Sequence, residues 1–515
     1  MSWEPEIEEL RRREAFAREM GGAEKLRRQH DAGKLDVRAR IDRLVDDGSF
    51  HEIGAIAGRA RYAEDGTLID LSPSNTVMGR ARVDGRPVVV CGDDFTVRGG
   101  AADAAIWQKQ VMAEQMANQL RLPIIRLIDG TGGGGSVKSL EMDGRTYVPA
   151  NPAWEWVVDN LAEVPVVSLA LGPVAGLGAA RAVTSHYSVM VEGLSQMFIA
   201  GPPLVARLGE QVDKEALGGS AIHTRAGAID DAVESEDAAF ARARRFLSYL
   251  PSSSAEIAAR GPVSDSPDRR EDALIRAVPR DRRKVYKIRP IVEAIFDKSS
   301  VFEMGRAFGG SVMTALARLD GWPVAVLASD TYHYGGGWTA DSSQKVIRFV
   351  ELAETFHLPV VHFVDCPGFV IGTESERAGT IRHGSRALAA VYQARVPWCS
   401  ILLRKCFGVA GAAHMNASRL RYRYAWPSGD WGSLPVEGGL EAAYKSELAA
   451  APDPEARMKE IEARLNAVRS PFRSAEAFLV EEIIDPRDTR PLLVEFAGLA
   501  QKLLTPGRPA FGPRP

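Results

Sequence analysis

Two runs of small residues stand where backbone chemistry is possible: GPVAGLGAA, from Gly172 to Ala180, and KCFGVAGAAH, from Lys405 to His414. Each follows an apolar stretch, VVSLAL or CSILL, and reads as a strand that turns through glycine directly into a helix. The first N–H groups of a helix have no intrahelical acceptor. Held on a preorganised turn, such donors stabilise an oxygen that gains negative charge during reaction. The amides of Gly176 and Leu177 are the candidates in the first run, and those of Val409 and Ala410 in the second. Tight strand-to-helix packing alone also demands glycine, so a single turn of this kind carries little weight. Two of them in one chain suit a reaction with two carbonyl oxygens to polarise.

Reactive side chains give weaker leads. Arg98, in FTVRGGA, and Lys138 lie beside Gly-rich stretches where a cation can meet a phosphate or simply face water. His186, His333 and His414 fall near the same stretches, yet none has a partner at a metal-ligand spacing such as HxxxH, so they read as structural and no metal is assigned. Cys366 and Cys406 read as small apolar fillers rather than nucleophiles. The runs GTGGGG, Gly130 to Gly135, and YGGGW, Tyr334 to Trp338, lack the GxxxxGK[ST] pattern, and no GxGxxG follows a suitable strand. A nucleotide triphosphatase or a Rossmann dehydrogenase is thereby disfavoured.

The elements that position these turns occur twice. The segment DGRPVVVCGDDFTVRGGAADAAIWQKQVMAEQMANQLRLPIIRLIDGTGG, from Asp84, returns without a gap as DGWPVAVLASDTYHYGGGWTADSSQKVIRFVELAETFHLPVVHFVDCPGF, from Asp320. Pro87 matches Pro323, Lys109 matches Lys345 and Asp129 matches Asp365, every pair differing by 236 (365 − 129). The two glycine turns continue the repeat at an offset of 232 (396 − 164). Each copy predicts a strand, a Gly-Gly turn, an amphipathic helix around the lysine, and a second strand ending in a Gly-rich loop. That order implies right-handed crossovers and an α/β fold of two similar domains, each a mostly parallel sheet flanked by helices. The polar stretch from Pro251 to Asp272 cannot supply a core and is read as the boundary.

Composition agrees with two large domains: 515 residues, 45% hydrophobic. Lys plus Arg number 64 against 67 for Asp plus Glu, which supplies no field for nucleic acid. The four cysteines form no CxxC pair, and a reducing cytoplasm fits them. The charged start has no apolar leader and no stretch approaches a membrane span, so a soluble cytoplasmic protein is expected.

From about Gly33 onward the chain resembles the β, or carboxyltransferase, subunits of propionyl-CoA, methylcrotonyl-CoA and related acyl-CoA carboxylases. The likeness rests on GKLDVRARIDRLVDDGSFHEIG, DGRPVVVCGDDFTVRGGA, GPVAGLGAA, MFIAGPP, LGGSAIHTRAGAIDDAVE, VDCPGFVIGTESERAGTIRHGSR, RKCFGVAGAAH and RYAWPS, in that order. The resemblance implies a duplicated crotonase-like fold, with residues 1–260 binding acyl-CoA and 261–515 binding biotin. It implies that Gly176 and Leu177 donate to the thioester carbonyl, and Val409 and Ala410 to the biotin ureido oxygen. Arg98, Gly99, Gly100, Gly133, Gly134 and Gly178 would then lie on the CoA side. Gly368, Phe369, Gly372, Phe407 and Gly408 would lie on the biotin side, with Ala412 at a position that tunes acyl selectivity. The chemistry implied is carboxyl transfer from carboxybiotin to an acyl-CoA, in which the cofactor itself supplies the base. Biotin would arrive on a separate carrier, because no Met-Lys-Met biotinylation site is present, and a biotin carboxylase would complete the system. A homo-oligomer, a hexamer with active sites at dimer interfaces, is also implied.

Three departures from the family pattern stand out: Leu177 and Val409 replace second glycines, GTGGGGSVKSLEMDGRTYVP replaces SGGARIQEG after Asp129, and Ala412 stands where short-chain enzymes often carry Asp. A decarboxylase subunit of a membrane-coupled complex would share every motif. A single-copy hydratase or thioesterase would not need the second copy, and a non-catalytic scaffold would show a misplaced oxyanion amide.

Overall fold

The computed structural model describes residues 2–101, 104–130, 141, 144–146, 148, 150–151, 153–263, 265–416 and 422–509. The chain divides into two compact units, residues 1–256 with 508–515, and residues 257–507.

In the first unit, β1 (His51–Ile53) is followed by a separate hairpin of β2 (Gly58–Tyr62) and β3 (Leu68–Pro73). Then come β4 (Thr76–Val83), β5 (Arg86–Asp93), β6 (Ile124–Gly130), β7 (Val166–Ala175), β8 (Tyr187–Val191), β9 (Gln196–Phe198) and β10 (Asp231–Val233). The sheet runs β1-β4-β5-β6-β7-β8-β10, with β9 paired beside the end of β7. The pairs β1-β4 and β4-β5 are antiparallel and the others parallel.

The second unit is built from β11 (Phe302–Met304), β12 (Val312–Leu319), β13 (Trp322–Ser329), β14 (Val360–Cys366), β15 (Trp398–Phe407), β16 (Tyr422–Ala425), β17 (Asp430–Gly432) and β18 (Glu482–Ile483). Its sheet runs β11-β12-β13-β14-β15-β16-β18, with β17 beside the end of β15. The repeat read from sequence is therefore a repeat of topology, strand for strand.

Local chemistry explains the shared frame. Every residue of β6 and of β14 is buried, because helices cover both faces of a parallel sheet. Asp84-Gly85 and Asp320-Gly321 make the tight turns before β5 and β13, with φ of 51° and 78° in one and 51° and 80° in the other. The helices Trp107–Leu120 and Ala340–Thr355 each bury one matched lysine: Lys109 Nζ donates to the Gly54 carbonyl (3.1 Å), and Lys345 Nζ to those of Phe308 (3.0 Å) and Val312 (2.8 Å). The long lysine stem lets the ammonium reach carbonyls beyond its own helix.

Apolar clusters lie beneath the functional ends of the strands. In the first unit Ile128, Ala170, Val174, Ala182 and Met190 pack under the turn that ends β7. In the second, Phe296, Phe363, Ile401, Trp426 and Phe496 belong to one large core. Among the described residues no helix is long and apolar enough to cross a membrane.

Candidate active site

In the first unit β7 ends at Ala175, the chain reverses through Gly176 (φ 60°, ψ −120°), and the helix Leu177–Val183 begins. That backbone is costly for any residue with a Cβ, which is why glycine stands there. A Cβ at Gly176 would meet nothing within 4 Å, so conformation rather than space dictates the residue. The N–H of Gly176 donates to the Phe198 carbonyl at 3.2 Å and closes β9 against the turn. The Gly176 amide is therefore engaged within the sheet. Leu177, a first-turn residue of the helix, keeps an N–H without an intrahelical acceptor. Leucine at this position has an ordinary helical backbone, so its Cβ does not disturb the amide. Gly178 is a packing residue, since a Cβ there would sit 3.0 Å from Val174 Cγ1.

The second unit repeats the device. β15 ends at Phe407, Gly408 takes φ 62°, and the helix Gly408–Ala412 follows, placing the amides of Val409 and Ala410 in its first turn. By the 232 offset Gly408 is the counterpart of Gly176, and Val409 of Leu177. The Val409 side chain is 51% exposed, whereas that of Ala410 is buried, and Ala412 is exposed one turn on. Phe407 is buried, its ring 3.5 Å from where a Cβ at Gly432 would stand, so it anchors β17 rather than facing outward.

A second pair of turns follows β5 and β13. Arg98, Gly99 and Gly100 have φ of 53°, 64° and 68°, and their counterparts Tyr334, Gly335 and Gly336 have 52°, 62° and 86°. Gly100 and Gly336 are forced: an added Cβ would lie 2.7 Å from the Asp129 carbonyl in one unit and 2.1 Å from that of Asp365 in the other. Arg98 is exposed and borders a cleft of about 80 Å³ together with Arg59 and Ser72. Gly368 (φ 121°) and Gly372 (φ 114°) flank Phe369, whose ring meets Trp338 (6.5 Å between centroids) and lies 2.3 Å from the place a Cβ on Gly384 would take. Gly133, Gly134 and Lys138 lie outside the described residues.

Asp129 and Asp365 end the central strands at matching irregularities in register, between Ile128 and Gly130 and between Val364 and Cys366. Both carboxylates are fully buried and therefore need charged partners. Asp129 binds Lys34 Nζ (2.6 Å) and Arg40 Nη1 (2.8 Å), and Arg40 continues to Glu236 (2.6 Å). Burial lowers the Lys34 ammonium against the pull of Asp129, and the Phe95 ring covers it at 4.3 Å. Asp365 accepts from Arg404 Nε (2.9 Å), Tyr286 Oη (2.8 Å) and the Lys405 N–H (3.1 Å). Sequence reasoning matched the two aspartates but missed their partners, which come from as far as 95 residues away (129 − 34, for Lys34 and Asp129).

His186, Cys366 and Cys406 have partners within the fold. His186 Nδ1 accepts the Val166 N–H (3.0 Å), leaving Nε2 to donate to the Leu161 carbonyl (3.0 Å). Burial pushes the Cys366 and Cys406 thiols up to about 12. Among the described residues no group of three His, Cys, Asp or Glu side chains is arranged to hold a metal ion.

Comparison with known proteins agrees with this geometry. Residues 28–505 match the carboxyl transferase domain. The chain is 32% identical over 503 residues to the propionyl-CoA carboxylase carboxyltransferase subunit of Haloferax mediterranei, covering 96% of each. It is 29% identical to the methylmalonyl-CoA decarboxylase subunit alpha of Veillonella parvula, again over 96% of each chain. Among solved structures it is similar to the transcarboxylase 12S subunit, a hexamer seen with methylmalonyl-CoA bound, with a TM-score of 0.87, 29% identity, and coverage of 99% of this chain and 98% of that one. The two-fold repeat of strand, glycine turn and helix is thus the duplicated crotonase-like fold, and the chain belongs to the carboxyl transferase family of acyl-CoA carboxylases.

Proposed function

We propose that this chain transfers a carboxyl group from carboxybiotin, carried on a separate protein, to the α-carbon of an acyl-CoA. The observation that carries the reading is the pair of glycine turns at Gly176 and Gly408, each ending a buried strand and opening a helix whose first amides have no intrahelical acceptor. Such donors act where charge develops, and removing one typically costs about 100–1,000-fold in rate. The Leu177 amide serves the thioester carbonyl, whose negative charge grows as the α-carbon loses its proton. The amides of Val409 and Ala410 serve the ureido oxygen of biotin. Carboxybiotin supplies both the carboxyl group and the base, so no side-chain base is demanded of the protein.

Residues 1–260 are assigned to acyl-CoA and 261–515 to biotin. Arg98 with Arg59 offers cations to CoA phosphates, and Phe369 and Gly368 border the biotin side. The partners are a biotin carboxylase and a biotin carrier, and the working oligomer is a hexamer, the assembly of the transcarboxylase 12S relative. The test is to mix the purified chain with a carboxylated biotin carrier and propionyl-CoA, butyryl-CoA and longer acyl-CoAs, and to follow labelled carbon into acid-stable product. Product from any of them supports the reading and ranks substrates. Its absence with a competent carrier, combined with carrier carboxylation from methylmalonyl-CoA, favours the decarboxylase direction of the Veillonella relative.

A further inference from the structure

We infer that His414 is a positioning residue that fixes the biotin-side turn, acting through the backbone of the helix Gly408–Ala412. The inference rests on the assignment of that turn to biotin.

His414 lies just beyond this five-residue helix, too short to hold its own geometry by intrahelical bonds. Its ring Nδ1 stands 2.8 Å from the Gly411 carbonyl, which can only accept, so Nδ1 carries the proton and donates. Nε2 is left as an acceptor, and Arg423 Nη1, which can only donate, faces it at 3.4 Å. Arg423 is itself held by a two-pronged bond to Glu481 (2.7 and 2.9 Å) and by the Leu479 carbonyl (2.6 Å). The tautomer is thus set by partners on both sides of the ring.

The backbone of the same residue is clamped to the sheet. The His414 carbonyl accepts from Ser400 Oγ (2.6 Å), Trp398 Nε1 (2.8 Å) and His362 Nδ1 (3.2 Å), donors from β15 and β14. One residue therefore ties strands on one side to the end of the helix on the other. The helix is closed by the Ala413 N–H on Ala410 (3.1 Å) and the His414 N–H on Gly411 (3.2 Å), so a shift of Gly411 is passed to Val409 and Ala410 within the same turn.

The first unit ties its helix end without an imidazole, Arg126 Nη1 of β6 donating to the carbonyls of Arg181 (3.1 Å) and Thr184 (2.7 Å). Its counterpart of His414 is Ala182 (414 − 232), a fully buried residue with no polar side chain. The matched serine survives there, Ser168 Oγ donating to the Arg181 carbonyl at 3.3 Å. The imidazole is thus an addition to the shared frame, made on one turn alone.

Displacement of a reacting group by about 1 Å costs on the order of 100-fold. In the full-length protein, His414→Ala is expected to lower kcat for transfer from a carboxylated carrier to propionyl-CoA by about 10- to 100-fold, with KM for propionyl-CoA changed less than two-fold. His414→Asn places an amide N–H near Nδ1 and is expected to restore most of the rate. His414→Gln, whose amide lies near Nε2 and cannot reach Gly411, is expected to stay low. Amide hydrogen exchange over the peptide 407–416 is read in the same variants, with protection lost in Ala and Gln and kept in Asn. Equal rates in Gln and Asn, a rise in KM matching the fall in kcat, or unchanged exchange in all variants would overturn the inference. If the wild-type chain transfers nothing, the biotin assignment fails, and the exchange pattern alone decides whether His414 holds the turn.

Discussion

Replacing Asp365 by Asn tests how the central strand end of the second unit is held. The two side chains have the same shape, so no cavity forms and the effect is electrostatic. In the wild type one carboxylate meets three donors, the Arg404 guanidinium, the Tyr286 hydroxyl and the Lys405 N–H, all in a site closed to water. An amide cannot satisfy this set. With its oxygen toward Arg404 and Tyr286, its NH2 points at the Lys405 N–H; reversed, it points at the guanidinium. Either way a donor faces a donor, and Arg404 loses its counter-ion while 2% exposed. Breaking a buried pair by removing one partner costs about 3–5 kcal/mol, against one exposed pair's 0–1 kcal/mol. We expect urea unfolding at pH 7 and fixed protein concentration to lose about 4 kcal/mol in the second unit's transition. The double variant Asp365→Asn with Arg404→Leu should recover more than half of that loss, because the stranded charge is gone. A loss below about 1 kcal/mol for the single variant, or additive losses in the double, would refute the reasoning.

Burial holds the His362 imidazole at about 3, well below its ordinary value near 6.5. A lowered folded-state value means the unfolded chain binds the extra proton first, so this contribution is intact above pH 6.5 and is lost as pH falls. Between pH 7 and 5 it amounts to about 2 kcal/mol, and His362→Asn should flatten the acid limb of a stability-pH curve by that amount. Gly176→Ala should cost only the strain of its backbone, about 1–3 kcal/mol, while Gly336→Ala adds overlap with the Asp365 carbonyl and should cost roughly twice as much, a ranking that calorimetry reads directly. With thiols at about 12 for Cys366 and Cys406, alkylation by iodoacetamide at pH 8 should run roughly a thousand-fold slower in the native protein than after unfolding, and a fast native reaction at either would contradict their burial.

The sequence made the frame legible because the repeat preserves what the backbone requires. Asp-Gly at 84 and 320 announces a tight turn, glycine at 176 and 408 announces positive φ, and all-apolar runs announce strands buried on both faces. What stayed hidden depends on contacts distant in the chain. That the Gly176 amide is spent on Phe198 follows from β9 returning to the end of β7, a pairing no local pattern specifies. The partners of Asp129, Lys34 and Arg40, precede it by about ninety residues, a separation that no local pattern bridges. His414 looked like one more structural histidine, and only its three-way clamp to β14 and β15 shows what it holds.

Arg98 and Tyr334 occupy the same left-handed corner, with φ of 53° and 52°, followed in both cases by two glycines that also take positive φ. An arginine and a tyrosine have little in common as side chains, so the path of the main chain at this corner owes nothing to either. The duplication fixed the trace once and left the side chain open to separate inheritance in each half. The corner is therefore a position where recognition can change while the scaffold keeps its shape, and the two halves of a single molecule already display two of its solutions.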